Sequence, residues 1–81
     1  MKFRKKYIDI LFKAANTIKR LRKEVKDDEE KYLILMIISM LWGICILFDK
    51  ESPTYYRSWL MGVLIKNEEE FRKVMKLVNE K

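Results

Sequence analysis

The side chains able to take part in chemistry are unevenly chosen and unevenly placed. Histidine is absent and cysteine occurs once, at Cys45. Those two facts remove a disulfide within the chain, a Cys/His zinc site, a Ser-His-Asp triad and a Cys-His dyad. Cys45 lies in the middle of an apolar run, where a thiol behaves as a small hydrophobe. A reactive thiolate needs cationic neighbours and access, and the local sequence offers neither. No Gly-rich phosphate loop, nucleotide fingerprint or zinc-knuckle spacing occurs. The sequence therefore points away from an enzyme, and it calls for no cofactor and no metal.

The cations are the more informative group. Lys and Arg total 18 against 12 acids, a net charge of +6. Residues 1–26 hold ten basic residues and two acids, whereas residues 27–81 hold eight and ten. A basic N-terminal third on a near-neutral remainder fits an acidic partner: nucleic acid, anionic lipid or an acidic protein surface. Lys2, Lys5, Lys6, Lys13, Lys19, Arg20 and Lys23 are the candidate contacts. The bland reading of the same residues is a solvated helix face that keeps a small protein soluble.

Other polar groups read more simply. Asp27-Asp28-Glu29-Glu30 suits a helix start, where one aspartate caps and the rest complement the dipole. Glu68-Glu69-Glu70 likewise reads as a first turn and not as an acid/base set, since no low-dielectric pocket or partner is evident. Tyr55, Tyr56 and Arg57 are able to stack on bases or hold phosphate, but they equally suit the start of a helix.

These residues must be positioned by helices. Only two glycines and one proline are present, too few for the turns of an all-β domain. Residues 3–26 repeat apolar types at Tyr7, Leu11, Ala14, Ile18, Leu21 and Val25, a coiled-coil-like seam widened by Ile8, Phe12 and Ala15. Residues 29–49 form a second helix, and its 17 residues from Tyr32 to Phe48 contain no charge. Ser52 is the expected N-cap of a third segment, with Pro53 in its first turn. That segment runs through Tyr55, Tyr56, Trp59, Leu60, Val63 and Leu64. Asn67 with Glu70 three residues on matches a capping box, so the segment is expected to break near residues 66–67. The apolar phase continues through 56, 60, 63, 67, 71, 74 and 78, so one long helix with a kink or a buried Asn67 is the alternative. The fourth helix would then turn Phe71, Val74, Met75 and Val78 inward.

The expected architecture is one all-α domain over residues 1–81. It is an antiparallel helical bundle of three long segments with helices near 3–26, 29–49, 53–66 and 68–80. Short links make sequential helices neighbours. Trp42 and Trp59 are expected close together, with Gly43 making room for a large neighbour.

The second helix is the strongest functional signal. A helix apolar on all sides must be enclosed on all sides. Two or three partner helices cover only part of its perimeter, and monomeric soluble proteins seldom leave a large apolar strip open. The least costly cover is a second copy, because one two-fold patch then covers itself. Leu35, Ser39, Trp42, Gly43 and Ile46 are the candidate interface residues, Ser39 and Gly43 forming a small-xxx-small pair.

The leading expectation is a non-enzymatic helical interaction protein, homodimeric, that regulates or inhibits a protein partner. In style, though with no family indicated, it is similar to the accessory proteins of viruses and mobile elements. The first alternative is nucleic-acid binding through the basic helix. The second is membrane association, with the second helix inserted and the first on an anionic leaflet. No secretory signal pattern is visible, and a lone cysteine fits a reducing, cytoplasmic setting. Membrane-surface association stays open at this level.

Overall fold

Acids and amides that stop one helix and start the next divide the chain into four helices. The computed structural model describes residues 5–51 and 55–80. Within them lie α1 (Lys5–Glu24), α2 (Asp28–Glu51), α3 (Tyr56–Leu64) and α4 (Glu68–Asn79), with no strand among the described residues. The all-α expectation and the break into a fourth helix both hold. The start of α4 at Glu68 falls where expected, and the ends that lie on described residues move by one or two residues. Lys2, Phe3, Ser52 and Pro53, and with them the expected starts at 3 and 53, lie outside the described residues.

The boundaries have local causes. The Asp27 carboxylate accepts the Glu30 backbone N–H at 3.0 Å, and Asp28, Glu29 and Glu30 fill the first turn of α2. Acids there oppose the positive end of the helix dipole. Asn67 does the same for α4: its side chain accepts the Glu70 N–H at 2.9 Å from an extended backbone. The box is offset, because the Glu70 carboxylate reaches back to the Lys66 N–H at 2.8 Å. Ile65, also extended, separates α3 from α4.

The start of α3 is served from another helix. Asp49, near the end of α2, accepts the Tyr56 N–H at 2.6 Å and the Arg57 N–H at 3.3 Å. The Arg57 Nε donates to the same carboxylate at 2.7 Å.

α2 is the organising helix. It packs most extensively against α4, then α3, while α1 rests more on α3 than on α2. The core runs along Leu11, Ala15 and Ile18 of α1, Ile34, Ile38, Leu41, Cys45 and Phe48 of α2, Tyr56, Leu60 and Leu64 of α3, and Val74 of α4. Burying an aliphatic or aromatic side chain of this size contributes about 1.5–3 kcal/mol. Phe12 stands edge-on to Trp59 at 4.8 Å, and Phe48 stands edge-on to Tyr56 at 5.5 Å, tying three helices together at one level.

Several expected contacts are corrected. The α1 seam is rotated: Ala15 is fully buried, whereas Tyr7 and Leu21 are exposed. Arg22 lies on this inner side, where its guanidinium meets the Glu70 carboxylate at 2.6 Å. In α4 Val74 is buried and Met75 and Val78 are half-buried, whereas Phe71 is left 38% exposed. Trp42 and Trp59 do not pair with each other. Trp42 lies beneath the Arg57 guanidinium, and Trp59 packs on Phe12. Among the described residues nothing outside the helix's own backbone and Gly43's chain neighbours lies within 4 Å of where a Gly43 Cβ would stand, so no large neighbour packs there.

Candidate functional site

Two helix faces and one end of the molecule present organised chemistry. The first face belongs to α2. Helical periodicity puts Ile34, Ile38, Leu41, Cys45 and Phe48 on one side and Leu33, Ile37, Met40, Ile44 and Leu47 on the other. The first set is buried. The second set is exposed, from 40% at Ile37 to 61% at Met40. Met36 and Tyr32 extend it, and the exposed Gly43 lies among them. The result is an uninterrupted apolar strip along the helix, free of charge from Tyr32 to Phe48. α2, with 24 residues, is also long and apolar enough to cross a membrane by length and composition alone.

The candidate interface residues fall differently from the sequence reading. Leu35 and Ser39 are buried against the chain's own helices, and the Ser39 hydroxyl donates to the Met36 carbonyl at 2.6 Å. Trp42 and Ile46 are half-buried on the flank, and Gly43 alone lies on the open strip. An all-apolar helix gives no phase by which to choose its outer side, so the strip itself was legible and its residues were not.

The second face belongs to α1. Lys5, Lys6, Lys13, Lys19, Arg20 and Lys23 are all exposed. Lys6, Lys13 and Arg20 lie opposite Leu11, Ala15 and Ile18, with Lys5, Lys19 and Lys23 on the flank and Asp9 and Glu24 interspersed. Lys6 lies over the Tyr7 ring at 5.2 Å. Arg22 is the basic residue drawn inward from this helix, neutralised by Glu70. Burial raises the Glu70 pKa, but the Lys66 N–H, the Arg22 hydrogen bond and the charges of Arg22 and Lys66 outweigh it, so the carboxyl sits below its usual range.

The residues considered for base stacking take structural positions. Tyr56 is buried and Arg57 is engaged by Asp49 and Trp42, while Tyr55 is 73% exposed. Burial alone would raise the Asp49 pKa. The Arg57 side-chain hydrogen bond, the Tyr56 and Arg57 N–H groups and the Arg57 charge together hold it below the usual carboxylate range. Cys45 is fully buried. Desolvation, aided by the Asp49 charge and opposed by Arg57, pushes its thiol up to about 12. No group of three or more metal-ligating side chains converges among the described residues.

The third feature is a pair of adjoining clefts between the start of α2 and α4, the first of them also bordered by the α1–α2 and α3–α4 links. One of about 380 Å³ is bordered by Lys23, Lys31, Lys66 and Lys73 over Val25 and Ile34. A second of about 470 Å³ shares Lys31, Leu35 and Lys73 with it and adds Lys76. The sequence reading did not single out Lys31, Lys66, Lys73 or Lys76. They are scattered along the chain, and only folding gathers them.

The chain matches no protein-family model, no curated protein and no solved structure.

Proposed function

We propose that the chain is a small, non-enzymatic interaction protein that pairs with a second copy through the outer strip of α2 and, as a dimer, regulates a protein partner. The observation that carries this reading is the strip itself: Leu33, Met36, Ile37, Met40, Ile44 and Leu47, each 40% or more exposed. Together with Tyr32 they leave on the order of 600 Å² of side-chain surface open, the upper end of the largest apolar patch on a typical monomer and a size that often serves a function. Two such patches pressed together bury about 1,200 Å², the lower bound for a specific interface. The steps from 33 through 37, 40, 44 and 47 alternate four and three, the spacing that lets two helices pack side by side. A two-fold axis makes the patch complementary to itself, and the open space at Gly43 permits close approach of the partner helix.

In such a dimer the two α1 basic faces remain available for an acidic protein surface. A cytoplasmic setting fits, since Cys45 is a free buried thiol.

Light scattering on a detergent-free column, at two salt concentrations, tests the reading. A dimer at both salts that becomes a folded monomer in Met40→Glu supports it. A strict monomer at high protein concentration rejects it. A second reading rests on the length and apolarity of α2, with the strip facing lipid. Recovery of the untagged protein in the soluble fraction without detergent would dismiss that one. The exposed cations of α1 favour nucleic acid as another partner; unchanged mobility of a labelled duplex at low salt would count against it.

A further inference from the structure

We propose that the cleft bordered by Lys23, Lys31, Lys66 and Lys73 is a binding site for a small molecule with a phosphate-like dianionic head and an apolar body. The site is independent of α2 pairing, because the cleft opens between α2 and α4 and not on the outer strip. Besides Arg22, four lysines border it from four places: Lys23 from the end of α1, Lys31 from the start of α2, Lys66 from the α3–α4 link and Lys73 from α4. Basic residues lining one concavity focus a positive potential in it, which attracts a dianion.

The lining contains one acid, Glu70, and it is already engaged. It accepts from Arg22 at 2.6 Å and from the Lys66 N–H at 2.8 Å. Glu70 is shared by Arg22 and Lys66, which leaves Lys23, Lys31 and Lys73 as the cations it does not offset. Lys23 and Lys66 form no ion pair among the described residues. Lys31 and Lys73 have only loose pairs on their own helices, 4.0 Å to Asp28 and 3.4 Å to Glu69, each with its lysine 59% exposed. Exposed pairs of that kind are weak and a ligand displaces them readily. The first-turn N–H groups of Glu30 and Glu70 are capped by Asp27 and Asn67, so the attraction comes from the lysine ammonium groups.

The floor accounts for the apolar body. Val25, Ile34 and Leu35 line the same cleft, and its volume of about 380 Å³ falls within the range of small-ligand pockets. Ile34 and Leu35 are buried beneath it, and the half-buried Val25 offers the apolar surface that such a body would cover.

The test is a titration of the full ¹⁵N-labelled chain with phenyl phosphate, followed by amide shifts, with inorganic phosphate in parallel. Saturable shifts at residues 23, 31, 66 and 73, with phenyl phosphate bound more tightly than inorganic phosphate, are expected. Lys31→Gln with Lys73→Gln should weaken phenyl phosphate binding by about tenfold or more, as expected for losing two charge-assisted contacts. Lys13→Gln with Arg20→Gln, on the outer face of α1, should leave it unchanged. Both double variants alter exposed side chains, and a dispersed amide spectrum verifies their fold. Shifts that do not saturate, equal binding of inorganic phosphate, or equal weakening in the α1 variant would overturn the proposal. So would binding of a poly-glutamate peptide without binding of phenyl phosphate, which would assign the cleft to an acidic protein segment.

Discussion

Asp49 joins two helices with one carboxylate. It caps the start of α3 through Tyr56 and Arg57 and holds the Arg57 side chain over Trp42. Its pKa is lowered in the folded chain, so its contribution is present above the unfolded value of about 3.9 and is lost as pH falls through the lower folded value. Asp49→Asn should cost about 1–3 kcal/mol at pH 7, the range for a buried charged hydrogen-bonding group. Urea unfolding at pH 7 and below pH 3 checks this, with the difference from the native chain shrinking at the lower pH. Cys45 gives a second expectation at this scale. Fully buried and with its thiol pushed up to about 12, it should resist an aromatic disulfide reagent at pH 8 in the folded protein and react on unfolding.

At the scale of elements, the break between α3 and α4 depends on Asn67. The apolar phase runs on through 60, 63, 67, 71 and 74, so a continuous helix competes with the observed turn. The Asn67 cap and the Arg22–Glu70 pair favour the turn. Asn67→Ala should lower stability by about 1 kcal/mol, and Asn67→Asp should largely preserve it. Thermal unfolding of both variants makes the comparison. α2 responds in the opposite sense at Gly43. A Cβ there meets nothing beyond its own stretch of helix among the described residues, so Gly43→Ala should stabilise the isolated protomer by about 0.5–1 kcal/mol through helix propensity. In dilute solution that gain is read as a rise in Tm.

The whole molecule is built around one helix with too much apolar surface for its neighbours to cover. α3 and α4 occupy one side of α2, α1 rests largely on α3, and the far side of α2 stays open. The proposed pairing through that side would link dimerisation to folding. The Tm should rise with protein concentration in the native chain and become independent of it in Met40→Glu. Calorimetry over a hundredfold range of concentration, about the span that makes such linkage plain, decides the matter. The basic outer face of α1 lies on a different helix, so this dependence should persist when salt screens surface charge.

The residue types alone determined that the chain is helical, where most helices begin and end, and that α2 is over-supplied with apolar surface. Those features are local: the Asp27 cap needs a residue three positions away, the Asn67 cap likewise, and the charge-free run is read directly from composition. The residues on the open side of α2 were not legible, because a helix apolar all round has no polar stripe to fix its rotation. Leu35 and Ser39 could have lain outward as readily as Met40 and Ile44; the placement of α3 and α4 decided between them. The Asp49 bridge and the Arg22–Glu70 pair were hidden for a related reason, since each joins groups from different helices whose approach depends on packing. The lysine-lined cleft is the extreme case. Lys23, Lys31, Lys66 and Lys73 have no common spacing in the chain, and only the tertiary structure brings their charges around one apolar floor.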